Sequence, residues 1–117
     1  MEVFSVKTKI LTGSGLEDLA PQIKRGFVVT DRFMAESGRI SYVTDTLDKA
    51  GAEWKLFSDV QADPDVATVT KGVGIIQEFK PDSVIAFGGG SAIDAAKAIV
   101  YFANKTKNVG QCKVIAI

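Results

Sequence analysis

Three consecutive glycines followed by a serine form the segment of this chain best suited to bind a phosphate group. Gly88, Gly89 and Gly90 follow the apolar run "VIAF" and precede the alanine-rich segment "AIDAAKAIV". Glycine lacks a Cβ, so its backbone can approach a ligand closely and adopt φ values that other residues avoid. A helix beginning at Ser91 would present free N–H groups and a positive dipole end to an anion. The alternative is a tight strand-to-helix turn with Ser91 as the N-cap.

Two well-known phosphate motifs differ from this glycine loop. A P-loop places a Lys-Ser or Lys-Thr pair directly after its last glycine, and no such pair follows Gly90. The dinucleotide fingerprint G-x-G-x-x-G is matched only in part, because Ile93 occupies the position of its third glycine. The glycines alone therefore leave the identity of the ligand open.

The elements that would position this loop alternate between strands and helices. Short apolar runs rich in β-branched and aromatic residues predict four strands, at 27–30, 54–57, 84–87 and 114–117. Apolar residues spaced by three and four predict three helices, over 40–50 with Gly51 as a stop signal, over 66–76 after the possible cap Asp63, and over 93–103 after Ser91. Residues 5–15 predict an edge strand or hairpin, and residues 16–24 a short helix restarted at Pro21.

The strands start about thirty residues apart, the length of a βαβ unit. Runs that are apolar on both faces and joined by helices are typical of a parallel sheet covered on both sides. We therefore expect a Rossmann-like, three-layer α/β domain with a mostly parallel sheet. In such sheets ligands bind beyond the carboxyl ends of the strands, which is where the glycine loop falls.

Composition excludes several classes of function. The chain has 117 residues, with 14 basic and 14 acidic side chains, so it lacks the excess of Lys and Arg that nucleic-acid binding needs. A single cysteine permits no intrachain disulfide, and no apolar run approaches the ~20 residues of a membrane span. We expect a cytoplasmic protein without a nucleic-acid or membrane partner.

The residues around the loop resemble a known family. "GGGSAIDAAKAI" is similar to the motif of the iron-type, metal-dependent alcohol dehydrogenases, and "TGSG", "VVTD", "KAG", "DVQADPD" and "KVIAI" occur in that family's order. Within the family, the chain looks most like short-chain alcohol dehydrogenases of the propanol type. The resemblance implies a fold like the N-terminal domain of dehydroquinate synthase. It also implies hydride transfer between a short-chain alcohol or aldehyde and a nicotinamide cofactor.

The resemblance assigns the cofactor site residue by residue. Gly88, Gly89, Gly90 and Ser91 match the segment that holds the cofactor pyrophosphate. Asp31, at the end of "FVVTD", matches the position that meets the adenine ribose, where a carboxylate favours NAD over NADP. The alternative for Asp31 is a helix cap directly after a strand.

Three further positions match the family pattern, each with a structural alternative. Asp63 stands where many members carry asparagine near the adenine-side ribose, and helix capping explains it equally well. Asp94 matches an aspartate beside the nicotinamide, and its alternative is a favourable charge near a helix N-terminus. Lys97 also matches, although a packed stem with a solvated tip explains it as well.

The family's metal site has no counterpart in this sequence. Members hold iron, or zinc, with one aspartate and three histidines from a helical second domain, and this chain contains no histidine. We therefore expect residues 1–117 to be the dinucleotide-binding domain, without the metal-binding domain and without catalytic or metal-ligating residues of its own. An apolar surface left by a missing second domain would favour homo-oligomers. Two alternatives to a domain of an alcohol dehydrogenase remain. One is dehydroquinate synthase-like or glycerol-1-phosphate dehydrogenase-like chemistry on the same fold, and the other is a stand-alone nucleotide-binding or assembly module without catalysis.

Overall fold

A parallel five-stranded sheet forms the centre of the molecule. The computed structural model describes residues 8–10, 16–60, 66–88, 90–107 and 113–116. The strands are β1 (Thr8–Ile10), β2 (Arg25–Asp31), β3 (Glu53–Val60), β4 (Ser83–Phe87) and β5 (Lys113–Ala116). Their order across the sheet is β1-β5-β4-β2-β3, and every pair is parallel. The predicted Rossmann-like α/β fold is confirmed, and β1 is the predicted edge strand.

Helices cover both faces of this sheet. They are α1 (Leu16–Leu19), α2 (Arg32–Glu36), α3 (Ser41–Lys49), α4 (Val66–Phe79) and α5 (Gly90–Lys107), and α1 continues into a 3-10 turn at Ala20–Gln22. The predicted stop at Gly51 is confirmed by its φ of 77°, a left-handed conformation that suits glycine after a helix. Helix α2 was not predicted, because five residues are too short to show a helical period.

Alternation along the strands divides the core into two layers. Phe27, Val29 and Val84 pack with α4 and α5 on one face of the sheet. Val28 and Ile85, which alternate with them, pack with α1 and α3 on the other face. All five side chains are fully buried. Because successive strand residues point to opposite faces, an uninterrupted apolar run is what a sheet covered on both sides requires.

The helix that follows the glycine loop packs closely against α4 and the sheet. Ala92, Ala95 and Ala96 on α5 are fully buried, and Gly72 on α4 faces Ile99 of α5. Small side chains allow two helices to approach closely.

In the part of the chain that the structure describes, no helix combines the length and the apolar character needed to cross a bilayer.

Candidate functional site

The glycine loop lies at the carboxyl edge of the sheet, beside the end of a neighbouring strand. Strands β2 and β4 are paired, with Thr30 opposite Phe87, so Asp31 and Gly88 follow these two partners side by side. A Cβ added at Gly88 would lie 3.4 Å from Oδ2 of Asp31 and 3.4 Å from Cγ of Met34. The structure therefore brings Asp31 and Gly88 together, although 57 residues separate them in the sequence.

Gly88 adopts a backbone conformation that other residues rarely adopt. Its φ is 127°, a value reached with little strain only by glycine. The turn it makes directs the chain from β4 into α5, which begins at Gly90. The predicted helix start at Ser91 was one residue late, so Ser91 is the second residue of α5 and not its N-cap. Gly89 lies outside the described residues.

The first turn of α5 presents an open surface. Gly90 and Asp94 are both exposed and four residues apart, so they share one side of the helix. A Cβ at Gly90 would meet no atom within 4 Å, which means that a ligand can approach the backbone there. Ser91 and Lys97 are partly buried. The structure thus places Gly88, Gly90, Ser91 and Asp94 along one strand-to-helix connection.

Asp31 caps helix α2. Its Oδ1 accepts a hydrogen bond of 2.7 Å from the backbone N–H of Met34, which is the N-cap geometry that satisfies a free donor of the first turn. The capping alternative for Asp31 is therefore realised. It occupies one carboxylate oxygen, while Oδ2 is the oxygen beside Gly88. Capping and ligand binding are compatible, because a carboxylate has two acceptor oxygens.

Sequence reasoning missed Thr30, a fully buried polar residue at this edge. Its hydroxyl donates a 2.7 Å hydrogen bond to the carbonyl oxygen of Phe87, the last residue of β4. This bond ties the ends of β2 and β4 together just before the glycine turn. The available signal was a polar residue at the end of an otherwise apolar strand, which needs a partner when buried.

The end of β3 adds charged groups to the same edge. Lys71 donates a 2.7 Å hydrogen bond from Nζ to Oδ2 of Asp59. This bond and the charge of Lys71 hold the pKa of Asp59 below its usual range, with a smaller contribution from Arg32. Asp59 is therefore ionised and already paired. Asp63, the predicted ribose contact beyond β3, lies outside the described residues.

A cavity of ≈ 470 Å³ lies elsewhere, in the groove between α1 and α3. Its lining includes Glu17, Tyr42 and Lys49, and Tyr42 donates a hydrogen bond to Oε1 of Glu17. The cavity contains none of the predicted site residues. The glycine loop at the carboxyl edge remains the candidate site, because there a glycine-only conformation, an open helix start and a carboxylate meet.

Comparisons with known proteins agree on one family. A family model described as iron-containing alcohol dehydrogenase matches residues 7–117. The chain is 40% identical to 1-propanol dehydrogenase PduQ of Citrobacter freundii over 107 residues, which are 90% of this chain and 29% of that protein. It is 47% identical to bifunctional aldehyde-alcohol dehydrogenase AdhE of Escherichia coli over 74 residues, 63% of this chain and 8% of that protein.

A solved structure extends the likeness to the fold. The sulfoacetaldehyde reductase of Bifidobacterium kashiwanohense, in complex with NAD+, superposes with a TM-score of 0.77 at 27% identity. The superposition covers 95% of this chain and 33% of that one. This chain thus spans about a third or less of the length of the relatives it matches.

Proposed function

This chain belongs to the iron-containing alcohol dehydrogenase family, and on that premise we propose that residues 1–117 are a domain that binds a nicotinamide dinucleotide. The observation that carries the proposal is the connection from β4 to α5. There Gly88 has a φ of 127°, and a Cβ at Gly90 would meet nothing within 4 Å. The NAD+ complex of the related reductase supports the choice of ligand.

The pyrophosphate would lie against Gly88, Gly89, Gly90 and Ser91. Free backbone N–H groups in the first turn of α5 would donate to its oxygens, and the helix dipole favours the negative charge. The hydroxyl of Ser91 would add a further donor. The exposed Gly90 leaves room for the phosphate oxygens to reach the backbone, which a side chain at that position would obstruct.

The two ends of the dinucleotide would extend from there in opposite directions. Asp31 would accept hydrogen bonds from the adenine ribose with Oδ2, while Oδ1 continues to cap α2. A second negative charge on a 2′-phosphate would be repelled, so NAD is preferred over NADP. Asp94, on the exposed side of α5, would lie toward the nicotinamide, and Asp63 toward the adenine ribose.

The parent enzyme would transfer hydride between a short-chain alcohol or aldehyde and the nicotinamide, which supplies the redox chemistry. This domain would bind and orient the cofactor. We assign the iron or zinc of the family to no residue here, because the chain has no histidine. Among the residues described, no group of three or more His, Cys, Asp or Glu side chains could hold a metal ion. The described residues therefore do not fit the metal.

An NMR titration with NAD tests the proposal. In the wild-type chain, we expect backbone amide shifts concentrated at Gly88–Asp94 and Asp31. Gly90→Ala places a methyl group where the pyrophosphate would lie, so we expect the Kd for NAD to rise roughly tenfold, the equivalent of ~1.4 kcal/mol. Its folding should be unimpaired, because nothing lies within 4 Å of the new Cβ.

The matched control is Gly74→Ala, the same change at an exposed position in the middle of α4, also without neighbours within 4 Å. It should bind NAD like the wild type. A well-dispersed wild-type spectrum without shifts at millimolar NAD would refute the proposal. If the Gly90→Ala variant and the wild type bound NAD with equal affinity, the pyrophosphate would not lie against this loop.

Replacement of Asp31 by asparagine separates its two roles. Asparagine caps helices as well as aspartate, so the free energy of unfolding should change by less than about 0.5 kcal/mol. Loss of the negative charge should improve NADP binding relative to NAD about tenfold, since two charges near a protein surface interact by on the order of 1–4 kcal/mol at close range.

The measurement is the ratio of the two Kd values by calorimetry. Asp45→Asn makes the same chemical change at an exposed position on α3 and should leave the ratio unaltered. If the ratio of the Kd values for NADP and NAD were unchanged in the Asp31→Asn variant, Asp31 would only cap α2 and would not contact the ribose.

A further inference from the structure

Phe33 is an exposed aromatic side chain that the packing of the domain does not explain. It is 62% exposed, and α2, the helix that carries it, has no buried residue. Apolar side chains of this size usually lie in a core or an interface, because burial stabilises them by roughly 1.5–3 kcal/mol. Most of the Phe33 ring is therefore available for contact with a ligand, and the position of the residue indicates which ligand.

The position of Phe33 connects it with the proposed cofactor site. It lies two residues after Asp31, and α2 packs against the strands β2 and β3. Met34, the next residue, directs its side chain toward Gly88. Phe33 is thus next to the carboxylate proposed to meet the adenine ribose.

One face of the Phe33 ring is already occupied by a cation. The guanidinium carbon of Arg39 lies 5.6 Å from the ring centroid, within the range of a cation–π contact. Gly38, with a φ of 86°, makes the turn that brings Arg39 back over the ring. The contact orients the ring, and the high exposure of Phe33 shows that the rest of its surface is open to solvent.

We propose that Phe33 is the adenine-binding residue of this domain, stacking the purine on the ring face opposite Arg39. The inference rests on the proposed function. A purine is flat and apolar on both faces, and base–aromatic stacking is worth roughly 1–3 kcal/mol. An adenine attached to a ribose held by Asp31 would lie within one sugar unit of the ring, with its pyrophosphate at Gly88–Ser91.

A second exposed phenylalanine among the residues that the structure describes provides a matched control. Phe102 is 47% exposed on α5, twelve residues after the helix start at Gly90, and its ring contacts Tyr101 edge-on at 5.3 Å. Twelve residues of helix extend about 18 Å, which places Phe102 far from the carboxyl edge of the sheet. Phe102→Ala removes the same exposed aromatic group at a site without a role in binding the base.

The test compares NAD binding by the wild type and by Phe33→Ala, Phe33→Trp and Phe102→Ala. We expect the Kd for NAD and for AMP to rise roughly five- to 150-fold in Phe33→Ala. Phe33→Trp should restore wild-type affinity or exceed it, and Phe102→Ala should be within twofold of wild type. Saturation-transfer NMR on bound NAD provides a second readout, because the adenine protons should lose saturation relative to the nicotinamide protons only in Phe33→Ala.

The outcomes distinguish the two proposals. Wild type and Phe33→Ala with equal affinity and equal adenine saturation would overturn the stacking role and leave the cofactor domain in place. Equal losses of NAD affinity in Phe33→Ala and Phe102→Ala would also overturn the stacking role, since removing any exposed aromatic side chain would then have the same effect. If the folded wild type bound neither NAD nor AMP, the proposed function itself would fail, and the adenine site with it.

Discussion

Replacing Gly72 with alanine is expected to lower the free energy of unfolding by about 2 kcal/mol, within the ~1–3 kcal/mol range for overpacked cores. A Cβ at this position would lie 2.4 Å from Cδ1 and 2.8 Å from Cγ1 of Ile99 on α5. Both distances are well below van der Waals contact. Ile99 is fully buried, so its side chain cannot move aside freely. Helices α4 and α5 would have to separate.

The control for this prediction is in the same helix. Gly74→Ala meets no atom within 4 Å and replaces glycine in a helix interior, so it should stabilise the domain by roughly 0.5–1 kcal/mol. Urea denaturation of both variants measures the difference. In a background of Ile99→Ala, the added methyl at position 72 has room, and its cost should disappear. A Gly72→Ala variant as stable as Gly74→Ala would show that the two helices are not in close contact.

Replacing Gly88 with alanine is expected to affect both stability and cofactor binding. The neighbours at 3.4 Å are at ordinary contact distance, so the cost comes from the backbone. A φ of 127° is strained for any L-residue, by roughly 1–3 kcal/mol. The turn can relieve that strain only by shifting the start of α5 relative to Asp31, and we therefore expect the Kd for NAD to rise more than tenfold.

A second glycine with a positive φ is the control that distinguishes backbone strain alone from disruption of the cofactor site. Gly51 has a φ of 77° at the end of α3, far from the carboxyl edge, and no atom lies within 4 Å of its Cβ position. Gly51→Ala should lower the free energy of unfolding by about 1 kcal/mol and leave NAD affinity unchanged. Calorimetric titration and thermal denaturation of both variants check this. Full NAD affinity in a folded Gly88→Ala variant would contradict the role of the turn.

The elements of the fold were predictable because their signals are local. Short runs rich in β-branched and aromatic residues identified β2, β3, β4 and β5, and apolar residues at spacings of three and four identified α3, α4 and α5. The alternating assignment of Phe27 and Val28 to opposite core layers follows from the same runs, since the strand period is two. Helix α2 has too few residues to show a period, and its start is encoded only in the cap that Asp31 provides.

The candidate site was predictable only in part. The glycine loop and Asp31 were found from their residue types and from the family motif. The hydrogen bond from Thr30 to Phe87 and the contact of Arg39 with Phe33 were not, because each depends on which strands are neighbours or on how a turn closes.

The sequence alone was therefore sufficient to predict the α/β alternation, the glycine loop between β4 and α5, and the resemblance to the dehydrogenase family. Packing of the whole chain sets the strand order that puts Asp31 beside Gly88, the fit of Gly72 against Ile99, and the exposure of Phe33. The reason is physical. Patterns of apolar residues report the local burial that each segment needs, whereas contacts between distant segments are selected by packing of the whole chain.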